Sequence, residues 1–329
     1  KYLLHKSCLI SDIRVFAETG CINENEERQW AQDCPGCSHV FWATPQDTPR
    51  TNGHTGRGMA IFISKRIPFQ DARVFRDPDG RYIIVRCRIH NRETLIVGLH
   101  ADNTDDTAQQ AYYNRVLNRL RDEGLDKDTC HALDVHVVAD CNNVENRPLD
   151  YARGRAKDGS RQPTDTMTET LRPLGVAALQ RLRQHLGVVD VFRQMHPRKR
   201  EFTRRHQGEN FESRSRLDRS MNSERMFHGN APRVYSVEHI WPTDSDLAAL
   251  RSAGSSSKYS DHAAILTSTR YSNTKRPKKP WRMPLSMLAN KATVDELRKI
   301  RNETLAEGAT ADDELPPASA TIVRLVERT

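Results

Sequence analysis

"YSDHAAILTSTRY", residues 259–271, sets a polar triplet directly against an apolar stretch. Residues 263–268, AAILTS, have the composition of a core strand, so Asp261 and His262 fall at its mouth rather than in its middle. Loops at strand ends carry side chains over a rigid sheet and face clefts. The placement of this titratable pair turns the rest of the chain into a search for strands that end in the same way.

Six further short apolar or alternating runs qualify as strands: DIRVFAET (12–19), MAIFISKRI (59–67), YIIVRCRI (82–89), TLIVGLHA (94–101), VHVVAD (135–140) and VYSVEHI (234–240). The linker HNRE between 82–89 and 94–101 has hairpin length, so part of the sheet is antiparallel. Helical spacing is clearest in 104–124, where Tyr113, Val116, Leu117 and Leu120 share a face and Gly124 ends the run. A second helix is expected from Thr166, with Glu169 at capping-box spacing and Leu179, Leu182 and Leu186 before Gly187. Pro173 predicts a kink there, or two short helices. Residues 145–165 read as a long loop. GHTGRGM (53–59) runs into a strand rather than a helix, which makes it a turn and not a nucleotide-cradling loop.

After Tyr271 the pattern changes to a basic, Pro-containing linker. One helix follows at 293–308, with Thr293 and Glu296 spaced as a capping box, and then a polar tail with ELPPASA. A domain boundary is expected near 271, giving units 1–271 and 272–329. There are no internal repeats. Strands mixed with helices make an α/β protein, either two sheets packed face to face with helices outside or a single mixed sheet.

The chain has 329 residues, 36% hydrophobic and 29% charged, with a mean hydropathy of -0.74. Loops and solvated faces must account for much of it, and no apolar run approaches the roughly 20 residues that cross a bilayer. Without a signal-peptide pattern, a soluble intracellular protein with no membrane partner is expected. Seven cysteines without framework spacing suit reduced thiols. Cys34-Pro-Gly-Cys37 reads as a turn rather than a zinc site, because no second pair stands at metal spacing. The net charge is +8. Its excess is clustered: 270–282 holds six Lys/Arg and no acid, and 196–220 holds eight against four acids. Such clusters suit a polyanion.

Ionisable or amide groups recur at strand ends: Glu18, His100, Asp140 and Asn142, then Asp261 and His262. Each alone is an ordinary surface acid, turn former or rim histidine; the ordered set is not ordinary. DIRVFAET, GRGMAIFIS, VGLHADN, VVADCNN, VDVFRQMHPRKREFT, SRLDRSMNS and SDHAAI stand in the order, and at roughly the spacing, of the endonuclease/exonuclease/phosphatase superfamily, the DNase I-like proteins that include apurinic endonucleases. The resemblance covers about 1–270. Within the superfamily the chain most resembles the apurinic-endonuclease-like domain of LINE-type (non-LTR) retrotransposon polyproteins, a likeness supported by KPWRMPLSMLANKATVDELRKI (279–300), which resembles the Trp-plus-basic segment and helix of those polyproteins.

The resemblance implies a four-layer fold, two mixed β-sheets face to face and flanked by helices, and a phosphodiesterase chemistry. That chemistry needs a cation, a group to prepare water, and donors for the developing charge. By resemblance Glu18 matches the metal-ligand glutamate, with Asp261 a neighbouring acid near the metal, and the cofactor implied is Mg²⁺, with Mn²⁺ as a substitute. Asp140 matches the aspartate that activates or positions water, and Asn142 the amide that holds the phosphate or the nucleophile. His262 matches the catalytic histidine, as base or as phosphate donor, oriented by Asp218. His100 stands where the family contacts the phosphate and Asn103 where a further polar contact is usual. Phe202 and Thr203 match a pair that packs beside the site. Arg270, Lys275, Arg276, Lys278 and Lys279 are expected to bind DNA.

Family members begin with a strand bearing an Asn that helps hold the metal. The sequence starts about where the segment after that strand should be, so that strand is expected to be absent from it. The expected function is a DNA endonuclease that nicks chromosomal target DNA in the nucleus and leaves a 3′-hydroxyl to prime reverse transcription by a downstream domain, which would also bring the element's RNA as a partner. A cellular repair endonuclease or other phosphoesterase of the superfamily, and a non-catalytic nucleic-acid-binding module, are the alternatives.

Overall fold

His90 and Asn91 both take left-handed backbone angles, φ 48° and 60°, and close a two-residue hairpin between strands paired residue for residue from Ile89–Arg92 to Tyr82–Leu99. Two left-handed residues in succession match the twist of the strands they join, so the turn is tighter than the four-residue HNRE loop expected. The computed structural model describes residues 11–32, 34, 36–45, 57–156, 172–207, 211–228, 232–243 and 261–271, with Asp295 and Lys299 beyond.

In chain order the elements are β1 (Ile13–Ala17), α1 (Glu24–Gln32), β2 (Cys37–Ala43), β3 (Met59–Ser64), β4 (Phe69–Arg76), β5 (Tyr82–Ile89), β6 (Arg92–His100), α2 (Asp106–Asp122), α3 (Lys127–Ala132), β7 (Asp134–Asp140), α4 (Arg147–Asp150), β8 (Tyr151–Ala156), α5 (Pro173–Leu186), β9 (Val188–Asp190), α6 (Val191–Met195), β10 (Arg204–Gln207), β11 (Phe211–Ser215), β12 (Asp218–Ser223), β13 (Arg233–Ile240) and β14 (Ala264–Arg270). All seven expected strands are present. The central sheet is six-stranded and mixed, in the order β4-β5-β6-β7-β12-β9, with β6 and β7 parallel.

Side-chain alternation assigns each face of this sheet to a different neighbour. Tyr82, Ile84, Leu95, Val97 and Leu99 point toward α2, α3 and α5 and form one core with Tyr112, Val116, Leu120 and Leu179. Ile83, Val85, Cys87 and Ile96 point the other way, onto Met59, Ile61 and Ile63 of β3. Every residue of β3 is buried, because its outer face, Ala60 and Phe62, is covered in turn by Trp30 of α1 with Phe16 and Trp42. The facing layer comprises β1-β3-β2 and the β13-β14 ribbon, antiparallel throughout the described residues. These are the expected face-to-face sheets with helices outside.

One expectation needs correction. Part of the supposed loop 145–165 is ordered as α4 and β8, and β8 pairs with β11; residues 157–165 lie outside the described residues. Pro173 occupies the first turn of α5, where the missing N–H costs nothing; Thr166 and Glu169, on which the expected kink or second short helix depends, are outside the described residues. Seven further strands, β2, β4 and β8 to β12, add to the seven read from the sequence, which set a lower bound. Cys34 and Cys37 do flank a turn, with Gly36 at φ +91°, and Nη1 of the buried Arg14 donates to both sulfurs, at 3.1 and 2.9 Å. Contacts divide the chain between Asn273 and Thr274, and the helix expected at 293–308 lies almost wholly outside the described residues.

Candidate active site

Strand register lines up three of the expected side chains. His100, the last residue of β6, is opposite Asp140, the last of β7, and Asp140 is opposite Asp218, the first of β12. They form a row along one end of the central sheet. Glu18 arrives from the facing layer, one residue beyond β1, in a left-handed conformation of φ 56°. Gly58 permits that arrangement, since a Cβ there would lie 2.4 Å from the Thr19 hydroxyl. His262 precedes β14 and forms a bridge with Arg204.

His262 Nδ1 donates to Asp218 Oδ2 at 2.8 Å, which turns Nε2 toward the cleft, 3.8 Å from Asp261 Oδ1. Thr203, fully buried, fixes the other end of this pair: its hydroxyl accepts the backbone N–H groups of Leu217 (3.1 Å) and Asp218 (3.0 Å), and its carbonyl accepts that of Ala263 at 2.6 Å. Thr203 thus packs beside the site and joins both halves of the pair. Phe202 lies under the Arg200 guanidinium. His100 Nε2 stands between two carboxylates, 3.4 Å from Glu18 Oε1 and 4.0 Å from Asp140 Oδ2. Asn142, at φ 46°, donates from its side chain to the Ala101 carbonyl at 3.0 Å and from its backbone to Asp140 Oδ1 at 3.1 Å. Asn103 is exposed, and the Arg172 guanidinium donates to its carbonyl.

The electrostatics separate these groups into acid and base. Burial opposes the charged form of His262, but the hydrogen bond and charge of Asp218, with Asp140 and Asp261 behind them, raise its pKa to about 9. Burial, with Arg81 and His262 nearby, lowers His100 to about 4. Asp140 is raised to about 7 by burial and by the Asp218 charge, and burial raises Glu18 as well. Two carboxylates thus stand above their ordinary range on either side of a neutral imidazole, burial outweighing the nearby cations. Asp140, Asp218 and His262 each place one potential ligand atom within 4.8 Å of the others. Oxygen-rich donors of this kind fit a hard divalent cation.

Asp261 lies beside His262, and one of its oxygens accepts Arg204 Nε at 2.8 Å. Burial opposes its charge, but that bond together with the charges of His262 and Arg204 lowers its pKa. Arg270 is not brought to the site. It ends β14 at the far end from His262, eight residues on and about 26 Å along the strand at roughly 3.3 Å per residue, and lies over the Tyr235 ring. Lys275, Arg276, Lys278 and Lys279 are outside the described residues.

Two contributors escaped the sequence reading. Arg204 was one cation among eight in a basic stretch. Gln109, fully buried in α2, donates through Nε2 to the carbonyls of Asp102 (3.0 Å), Cys141 (3.1 Å) and Asn142 (3.2 Å), so one amide spans the loops after β6 and β7. Its oxygen accepts from Asn143 at 2.9 Å, and Asn143 is held by the buried Arg219. Only its place on the apolar face of this helix, in line with Tyr112, Tyr113 and Val116, could have marked it.

No family model matches the chain. Among solved structures, an AP endonuclease from Archaeoglobus fulgidus matches with a TM-score of 0.53 at 15% identity, over 82% of this chain and 94% of that one. AP endonuclease LMAP from Leishmania major matches with a TM-score of 0.53 at 14% identity, over 82% and 84% of the two chains. At these identities the likeness is one of fold, and it agrees with the DNase I-like sandwich.

Proposed function

We propose that the chain is a divalent-cation-dependent DNA endonuclease that hydrolyses a backbone phosphodiester to leave a 3′-hydroxyl. The observation that carries this reading is the meeting of Glu18, His100, Asp140, Asp218 and His262, drawn from five separate strands or their ends, at one end of the sandwich. Asp140, with its pKa near 7, takes the proton of the attacking water. As the water oxygen bonds to phosphorus and the P–O3′ bond breaks, the imidazolium of His262, held charged by Asp218, donates from Nε2 toward the phosphate and the departing oxygen. His100, neutral at pH 7, offers a hydrogen bond without competing for the cation. Mg²⁺ or Mn²⁺ would be held by Glu18 and would supply positive charge against the phosphate.

Within this activity, nicking of chromosomal target DNA for a retrotransposon's reverse transcriptase is supported by the motif order and by residues 279–300, and it places the protein in the nucleus. The fold likeness to two AP endonucleases favours a second reading, cleavage beside an abasic site. Supercoiled plasmid and a duplex with one abasic site, each with Mg²⁺, separate these substrates. The enzymatic reading fails if the wild type cleaves neither faster than a His262→Ala variant. A polymerase coding region in the parent reading frame beyond Thr329 would distinguish the element from a cellular repair enzyme.

A further inference from the structure

We infer that Arg204 is a catalytic cation of this centre and that Asp261 acts by holding its guanidinium over the scissile phosphate. The inference rests on the phosphodiesterase reading and deepens it. Arg204 and His262 are bridge partners on adjacent antiparallel segments, so their side chains rise from the same side. Arg204 Nε donates to Asp261 Oδ2 at 2.8 Å, while the next backbone N–H, that of Arg205, donates to the Asp261 carbonyl at 2.8 Å. Two consecutive residues of β10 therefore grip Asp261 by carboxylate and backbone. The Arg205 guanidinium stacks on Trp241 at 4.3 Å, which anchors β10 from its other face.

This grip uses only one edge of the guanidinium. With 35% of the Arg204 side chain exposed and Asp261 its sole polar partner among the described residues, the two terminal amino groups are left to the mouth of the cleft. A planar fork of donors matches two oxygens of a phosphate, and charge building on non-bridging oxygens is what such a donor stabilises. The other cationic side chain in the row, His262, already commits Nδ1 to Asp218. A guanidinium bonded to Asp261 also repels a dication at that carboxylate, which makes Asp261 a poor metal ligand and a good orienting group. No proton moves through Arg204; its part is hydrogen bonding and charge.

The test uses the full chain and its Arg204→Ala, Arg204→Lys, Asp261→Asn and Arg204→Ala/Asp261→Asn variants, with melting temperatures confirming folding and Lys serving if Ala unfolds. With a cleavable duplex and Mg²⁺, Arg204→Ala is expected to lower kcat by about 100-fold or more, the scale of one lost transition-state donor, with KM changed only a few-fold and partial recovery on adding ethylguanidinium. Asp261→Asn should lower kcat too, yet add nothing in the Arg204→Ala background. In EDTA, fluorescence anisotropy compares an all-phosphate duplex with one carrying a single neutral methylphosphonate at the cleavage position. Wild type should discriminate between the two, and Arg204→Ala should not.

Retention of kcat by Arg204→Ala, or equal discrimination by both proteins in EDTA, overturns the role of Arg204. Loss of Mn²⁺ binding in Asp261→Asn but not in Arg204→Ala, read by calorimetry, makes Asp261 a ligand and overturns its orienting role. If the wild type cleaves nothing, it is the phosphodiesterase reading that falls, and the metal-free binding comparison still decides whether Arg204 faces a phosphate.

Discussion

At His262 two effects of opposite sign meet: burial lowers its pKa, and the hydrogen bond and charge of Asp218, joined by the charges of Asp140 and Asp261, together raise it to about 9. Because the folded value lies above the free one, near 6.5, the pair contributes stability that is fully present below about pH 6.5 and is lost as pH rises through 9. If the imidazolium is the donor, activity should fall along the same alkaline limb. Asp218→Asn leaves burial less opposed, so that limb should move to lower pH with kcat reduced about 100-fold; pH–rate profiles beside an NMR titration of the imidazole check it, and an unmoved limb would show that Asp218 does not act through His262. Asp140 and Glu18 carry the opposite lesson. Burial raises both, Asp140 to about 7, and loss of the Asp140 proton adds a negative charge beside the cation that Glu18 would hold, so Mn²⁺ affinity should tighten as pH climbs through 7, with proton release visible as a buffer-dependent heat in calorimetry. Glu18, Asp140 and His262 were legible in the sequence because each stands at the end of an apolar run, whereas Asp218 opens the polar β12 and was expected only from the family resemblance of SRLD. The Arg204–Asp261 pair was not, because its partners are 57 positions apart and nothing in an arginine-rich stretch says which guanidinium turns inward.

The strands visible in advance were those with both faces buried or cleanly alternating, such as β3 and β5. β4 was missed because its pattern is mostly exposed, and β12, "DRSMNS", because its buried residues are largely polar. Their burial is balanced by side-chain partners no local pattern reveals: Ser223 accepts the Val135 N–H at 2.7 Å, and Arg219 bonds Asn143. Close packing between layers is equally hidden. A Cβ on Gly98 of β6 would meet Val15 Cγ1 at 2.8 Å and Met59 Cε at 2.9 Å, and Val15 lies on the strand that presents Glu18. Gly98→Ala should therefore overpack the sheet interface and cost about 1–3 kcal/mol, read as a lower urea midpoint at unchanged m-value. On the helical side, Gly175 lets α5 approach Gln109, where a Cβ would come within 2.1 Å of Oε1. Gln109→Met removes the amide that joins the two site loops, and hydrogen exchange should then rise at 101–103 and 141–142 together. Exchange rising in only one of the loops would mean that each is held independently.

For the molecule as a whole, net charge of +8 says that a polyanion is attracted, while the structure says which cations can meet it. Of the eight Lys/Arg in 196–220, Arg216 and Arg219 are buried. Arg216 Nε meets Asp150 Oδ1 at 2.8 Å and Arg216 Nη1 meets Asp190 Oδ2 at 2.7 Å. Lys199 is paired with Glu201. The basic stretch read from sequence therefore overstates the surface charge, because a buried arginine and an exposed one look alike until their partners are placed. Arg216→Met should lower stability by about 3–5 kcal/mol, the cost of leaving buried carboxylates unpaired, yet leave the salt dependence of DNA binding unchanged. Exposed Arg200 and Arg205 should behave in the opposite way, each replacement by Ala reducing the slope of log affinity against log salt by about 0.9 if it meets one phosphate. Lys275, Arg276, Lys278 and Lys279 lie outside the described residues, and the same measurement decides whether they contribute: replacing all four by Ala should reduce the slope by about 0.9 for each phosphate they meet. Anisotropy titrations between 50 and 200 mM NaCl measure both effects, and a slope unchanged by the fourfold replacement would separate this segment from the DNA.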